Sequence, residues 1–231
     1  MRPTVLLFDI DGTLVTTGGA GRRSMAAAFE DLHGRKDACE SFSISGMTDR
    51  AILRKGLQAL SVEPTEARID ALLARYLAHL KLEVPRVADG PYRVHPGVRS
   101  ALEELGERPG YAIGLGTGNV REGAQVKLQR VDLYDHFAFG GFGCDAEDRM
   151  ELIRIGARRG ADQLETPLEA CRVVVIGDTP KDIAAAHGIG AICLAVATGT
   201  YRADVLTEAG ADFVYEDLSV PGALEVLLAS S

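Results

Sequence analysis

The sequence predicts an α/β fold in which a parallel sheet forms the core and an all-helical segment follows the first strand. Three observations carry this. Short apolar runs recur along the chain and are near-continuous rather than alternating, as expected of strands buried on both faces. Helical apolar spacing fills most intervals between them, the alternation of a parallel α/β sheet. One stretch, Gly19 to about Ala88, holds helical patterns and no convincing strand. The expected architecture is a Rossmann-like parallel core with an inserted helical cap. Residues 1–17 and 89–231 would form the core and residues 18–88 the cap.

Taken in order, the first run is Val5-Leu6-Leu7-Phe8, ending at Asp9. Gly18-Gly19-Ala20-Gly21 supplies hinge-like punctuation before the helical stretch. Within it, helices are expected at Met25 to Leu32, Asp49 to Leu60, and Glu66 to Leu82. The last carries Ile69, Leu72, Tyr76 and Leu80 at helical spacing, which marks cap core. Asp89-Gly90-Pro91 closes the stretch. Val98 to Leu105 is a helix after Pro96-Gly97, and Tyr111 to Gly116 is a strand ending at Thr117. Helical patterns follow at Val120 to Val131 and Asp148 to Gly160. Arg172 to Gly177 is a strand ending at Asp178, and Lys181 to His187 a helix. Ala191 to Val196, a weaker strand at Asp212 to Tyr215, and a helix at Pro221 to Leu228 complete the chain.

Composition narrows the function classes. The 231 residues carry 25 Lys and Arg against 33 Asp and Glu, a net charge of −8. No basic surplus exists to neutralise nucleic-acid phosphates, and with no Trp and 6% aromatics base-stacking platforms are poorly supplied. No apolar run approaches the roughly 20 residues that span a bilayer. The N-terminal run reaches Asp9 without a small-residue cleavage site, so no secretory signal is expected. Cys39, Cys144, Cys171 and Cys193 form no C-x-x-C pair, and buried thiols in a reducing compartment are the expected reading. A cytoplasmic protein with no nucleic-acid or membrane partner follows as the expectation; nothing in the sequence fixes an oligomeric state.

Three strands end in polar residues, and ligands of open α/β sheets bind outside the carboxyl ends of strands. The ends read Asp9-Ile10-Asp11-Gly12-Thr13, Thr117-Gly118-Asn119, and Asp178-Thr179-Pro180-Lys181-Asp182. Side by side, these would bring four carboxylates into one pocket. Like charges a few ångströms apart raise each other's pKa, and a hard divalent cation resolves the conflict. Asp9 and Asp178 are the expected Mg²⁺ ligands. The carbonyl of Asp11 would add a third, and Asp182 would bind through water or orient its neighbours. Asp9 is also a candidate nucleophile towards phosphorus. Asp11, two residues on, is placed to act as acid and then base. Thr117, with the Gly118 and Asn119 amides, would hold phosphoryl oxygens.

Together, Asp9-Ile-Asp-Gly-Thr13, Thr117 after an apolar strand, and Gly177-Asp-x-x-x-Asp182 resemble motifs I, II and IV of the haloacid dehalogenase-like phosphohydrolases. The resemblance covers essentially the whole chain. The helical insert resembles that superfamily's type-one cap, as in phosphoglycolate phosphatase and β-phosphoglucomutase. It implies Mg²⁺-dependent hydrolysis of a small phosphomonoester, with Asp9 as nucleophile, Asp11 as acid/base, Thr117 on phosphate, Asp178 on Mg²⁺ and Asp182 in support. A dehalogenase lacks the second aspartate, so Asp11 favours phosphate-ester chemistry. A phosphomutase using the same phospho-aspartate is the nearest alternative, and a phospho-aspartate receiver a more distant one.

One departure concerns the basic residue of motif III, usually a lysine. Arg149 stands near the expected place and can offer a bidentate fork to phosphate. Lys127, mid-helix, is the second candidate, and neither is the third reading; Lys181 is expected to face solvent. In the cap, Ser45-Gly-Met-Thr-Asp-Arg50 resembles the family's specificity loop. Arg22, Thr48 and Arg50 are the candidate specificity residues. The competing reading of Thr48 to Arg50 is a helix N-terminus with a surface arginine.

Overall fold

The computed structural model describes residues 2–229. Six strands form one parallel sheet: β1 (Thr4–Phe8), β4 (Tyr111–Thr117), β5 (Phe139–Phe142), β6 (Arg172–Gly177), β7 (Ile192–Val196) and β8 (Phe213–Tyr215). Their order is β5-β4-β1-β6-β7-β8, so β1 lies between β4 and β6. The α/β class and the parallel, Rossmann-like core expected from the sequence are what the chain adopts.

Alternation along β1 divides the core. Leu6 and Phe8 face a cluster shared with α4 (Val98–Gly106), α5 (Arg121–Gln129) and α9 (Ala223–Leu228). Val5 and Leu7 face the opposite cluster, with α6 (Arg149–Gln163) and α7 (Pro180–Gly188). All four side chains are fully buried, which explains why the run reads as continuously apolar. A short helix, α8 (Ala203–Glu208), packs near β8.

Between β1 and α4 lies an antiparallel pair, β2 (Val15–Thr17) with β3 (Tyr92–Val94). Three helices are strung between these two strands: α1 (Ala20–His33), α2 (Asp49–Ala59) and α3 (Glu66–Glu83). They bury a third apolar cluster that includes Phe29, Leu53, Leu57, Ile69, Leu72 and Tyr76. The α3 stripe read from sequence buries Ile69, Leu72, Tyr76 and Leu80. Among the described residues, no helix is long and apolar enough to cross a membrane.

Three strands escaped the sequence reading. β2 and β3 have three residues each, too few for a periodic signal. β5 reads Phe-Gly-Gly-Phe, and paired glycines argue against a strand. Here they permit close packing, because a side chain at Gly141 would collide with the Leu152 carbonyl of α6.

Candidate active site

Register places the three polar strand ends together. Phe8 lies beside Leu115 on one flank and Ile176 on the other, so the residues beyond each of them all emerge on one edge. The Asp9 amide still donates to the Ile176 carbonyl, at 2.9 Å. Beyond it the chain turns sharply, with the Leu14 and Val15 amides both donating to the Ile10 carbonyl. Gly12 sits in this turn at φ 89°, and a Cβ there would also run into the Asp178 carboxylate. The Thr13 hydroxyl donates to Asp178 Oδ1 at 3.1 Å, tying the first loop to the third.

Carboxylate oxygens of Asp9, Asp178 and Asp182 lie within 4.8 Å of one another, and all three residues are buried. Burial pushes the Asp9 carboxyl up to about 6, opposed by Arg149 and reinforced by Asp182 and Asp11. Asp178 is raised well above the usual carboxylate range by burial, then by Asp182 and Asp9. The donors are hard oxygens whose negative charge is incompletely balanced, a set that fits a divalent cation of the Mg²⁺ type.

Asp182 is already engaged through both oxygens. Oδ1 accepts from Arg149 Nε at 2.8 Å, and Oδ2 accepts from the Thr179 amide and hydroxyl at 3.1 and 2.7 Å. The Thr179 hydroxyl in turn accepts from the Asp182 amide, a reciprocal capping box that starts α7. Asp182 therefore holds Arg149 and the helix start in place. Arg149 Nη2 reaches Asp9 Oδ2 at 3.0 Å and Asp182 Oδ1 at 2.5 Å, so this arginine stands against the candidate nucleophile.

Across the site, Asp11 meets the strand β4 end. Its Oδ2 accepts from Asn119 Nδ2 at 2.9 Å and from Lys127 Nζ at 2.6 Å. Thr117 Oγ1 accepts from the Asn119 amide and Nδ2, at 3.2 and 2.9 Å, and is fully buried beneath them. The Gly118 carbonyl accepts from the Asp49 amide of α2 at 2.8 Å. Lys127 thus meets Asp11, while Arg149 meets Asp9.

These groups open on a cavity of about 610 Å³ between the sheet edge and helices α1 to α3. Asp9, Asp11, Gly118, Asn119, Lys127 and Asp178 line it, as does Arg22 from α1. Thr48 and Arg50 do not. Thr48 caps α2, accepting from the Ala51 amide at 3.3 Å and donating to the Glu147 carbonyl at 3.3 Å. Arg50 turns to Asp70 and Glu66, at 2.7 and 2.6 Å, on the helix surface. The lysine expected in solvent, Lys181, is exposed and donates to the Ser45 carbonyl at 2.9 Å.

Further residues line the cavity, among them Asp49 from the loop that resembles the family's specificity loop. Asp49 is buried, accepts from the Val120 amide at 2.9 Å, and is pushed up to about 6 by burial, with Lys127 acting against the rise. Arg93 of β3 and the Thr198-Gly199-Thr200 loop also line the cavity. Arg93 and that loop leave no signal in the sequence, whereas Lys127, the second candidate for the basic residue, shares the buried face of α5 with Ala124 and Leu128, where an apolar residue is expected.

Comparison with known proteins gives a consistent picture. A protein of Dickeya dadantii named Probable phosphatase IndB is 28% identical over 236 residues, covering 99% of this chain and 96% of that one. A phosphoglycolate phosphatase of Agrobacterium fabrum is 25% identical over 227 residues, covering 92% and 88%. Among solved structures, a CbbY mutant from Rhodobacter sphaeroides in complex with xylulose-(1,5)bisphosphate superposes with TM-score 0.74 at 19% identity, covering 98% of this chain and 99% of that chain. A hydrolase from Pseudomonas syringae gives TM-score 0.69 at 20% identity, covering 95% of each. At such identities the structural likeness speaks for the fold. A family model described as haloacid dehalogenase-like hydrolase matches residues 3–190. That span includes every strand-end carboxylate of the site, and the chain belongs to the haloacid dehalogenase-like hydrolases.

Proposed function

We propose that this hydrolase is a phosphatase that cleaves a small phosphomonoester through a phospho-aspartate on Asp9. The carrying observation is the meeting of Asp9, Asp178 and Arg149 at one strand edge, with Asp11 facing the same cavity. The Dickeya and Agrobacterium relatives are both named as phosphatases, which supports the reading.

A carboxylate oxygen of Asp9 attacks phosphorus, and the ester P–O bond breaks. Asp11 gives its proton to the departing alkoxide. In the second step Asp11 takes a proton from water as the water oxygen bonds to phosphorus. The Asp9–phosphorus bond then breaks, releasing inorganic phosphate and restoring the carboxylate. Arg149 neutralises charge beside Asp9 and offers donors to the phosphoryl oxygens, while Gly118 and Asn119 shape the opposite wall and Thr117 holds Asn119 from beneath.

Asp9, Asp178 and the carbonyl of Asp11 would hold Mg²⁺, with Asp182 supporting from behind. Once bound, the cation neutralises charge that otherwise gathers between nucleophile and phosphoryl group.

Residues 18–88 act in this reading as a cap whose closure excludes bulk water. The organic part of the substrate would lie against Met25, Ile44, Met47 and Ile52, which line the far side of the cavity. Arg22 and Arg93 stand ready for an anionic or hydroxylated substituent. Thr48 and Arg50 would act only indirectly, by fixing α2. A metabolite of this kind, turned over in the cytoplasm with no nucleic-acid or membrane partner, completes the proposal.

Phosphate release from a panel of phosphomonoesters with Mg²⁺, wild type against Asp9→Asn, tests the reading. Release by the wild type that vanishes in the variant is the expected result. A wild type that releases phosphate from no ester would overturn it.

A further inference from the structure

Two buried cations serve this site, and the two-step chemistry of Asp9 and Asp11 uses only one of them. Arg149 engages Asp9 and Asp182. Lys127 engages neither. Its side chain is 4% exposed and its Nζ lies 2.6 Å from Asp11 Oδ2. The same ammonium donates to Asn119 Oδ1 at 2.6 Å. The triangle is closed by Asn119 Nδ2, which donates to Asp11 Oδ2 at 2.9 Å.

Resting on the phosphatase reading, we propose that Lys127 is a positioning residue for Asp11: with Asn119 it occupies Oδ2 and leaves Oδ1 as the oxygen that gives and takes the proton. Three features support this. Burying an ammonium is costly unless it is paired, and an apolar side chain would suit this face of α5 better. Its backbone is pinned too, since the Tyr92 hydroxyl donates to the Lys127 carbonyl at 2.7 Å. The Asn119 amide has one self-consistent orientation, with Oδ1 to the ammonium and Nδ2 to Thr117 and Asp11.

With two donors on Oδ2, Oδ1 is the oxygen left free to carry a transferred proton. The proton passes from there to the alkoxide as the Asp9–phosphorus bond forms and the ester bond breaks. Oδ1 then accepts a proton from the attacking water as the Asp9–phosphorus bond breaks. Removing Lys127 frees the carboxylate to rotate, and both transfers lose their geometry.

Burst kinetics with p-nitrophenyl phosphate test this, because p-nitrophenolate departs without a proton and only the second step then needs Asp11. Lys127→Met is expected to release one fast equivalent of p-nitrophenolate per enzyme. Steady-state turnover should then fall about 10²-fold, the scale of a general base, with KM falling alongside it because the phospho-enzyme accumulates. On an alkyl phosphate the same variant should show no fast phase. The burst also reports that the protein is folded with Asp9 competent. If Lys127→Met does not fold, Asn119→Ala, which removes the other donor to Oδ2, should give the same burst with a smaller fall. An unchanged steady state, or loss of the burst together with a raised KM in a folded variant, would overturn the proposal. A wild type inactive on every ester would instead sink the phosphatase reading; an active wild type beside an unaffected variant sinks only the role of Lys127.

Discussion

Arg149 occupies a position where a lysine would supply the same charge but not the same geometry. Its guanidinium reaches Asp9 with one nitrogen and Asp182 with two, at 2.5 to 3.0 Å, and a single ammonium cannot bridge both carboxylates in this way. Arg149→Ala should therefore lower kcat on the order of 10²-fold or more, the cost of losing a preorganised donor at a charged transition state. Arg149→Lys should recover part of that loss. Steady-state kinetics on any ester the enzyme accepts would decide, and an unchanged kcat for the alanine variant would remove this residue from the chemistry. The sequence placed Arg149 first for this position because it opens a helix between the second and third strand ends. It could not show that Lys127 reaches Asp11 instead, since that contact spans 116 positions and depends on how α5 lies across β1 and β4.

Helices α2 and α5 meet end to end at Asp49. Its amide donates to the Gly118 carbonyl, and its carboxylate accepts from the Val120 amide, so one residue joins the helical insert to the second strand end. The Arg54 guanidinium adds a fork to Glu147, at 3.0 and 2.6 Å, across the same boundary. Burial raises the Asp49 carboxyl to about 6 from 3.8, so the folded protein holds a proton there more tightly than the unfolded chain. Stability contributed by this group is greatest below pH 3.8 and is lost as pH rises towards 6, levelling off above it. Asp49→Asn keeps the acceptor oxygen and removes the ionisation. In metal-free buffer the variant should gain on the wild type by about 2 kcal/mol between pH 4 and pH 7. Denaturant melts across that range check it; a stability difference independent of pH would contradict it. At this scale the sequence was legible for long helices and central strands and not for short or glycine-rich ones. α3 announced itself through its apolar stripe, whereas β5 hid behind Gly140 and Gly141, whose purpose appears only when Leu115 of β4 lies against the first and α6 against the second. Thr48 and Arg50 were read as candidates for the pocket because their loop resembles a specificity loop. Their side chains cap and brace α2 instead, a distinction that turns on helix phase.

Across the whole molecule, an acidic net charge goes with a cavity that gathers both signs. The chain carries −8 overall, yet Arg22, Arg93 and Lys127 line one cavity and Arg149 lies beside it. Asp9, Asp11, Asp49 and Asp178 line the same cavity, so a bound cation is what would tip its balance towards an anionic ligand. The carboxylates are the other half of that arrangement. Residues 9, 11, 178 and 182 were identifiable as a group because each follows an apolar strand, and the strand order β4-β1-β6 brings those ends together. What the linear order did not show is the division of labour: Asp182 turned towards Arg149 and Thr179, Asp178 towards Thr13. In the proposed mechanism Asp9 carries the phosphoryl group. Rapid acid quench during turnover of p-nitrophenyl phosphate with Mg²⁺, followed by borohydride reduction and peptide mass spectrometry, tests it most directly. Homoserine at position 9 only when substrate is present is the expected result; steady turnover with no reduced residue there, or with another carboxylate reduced instead, would rule Asp9 out as the nucleophile.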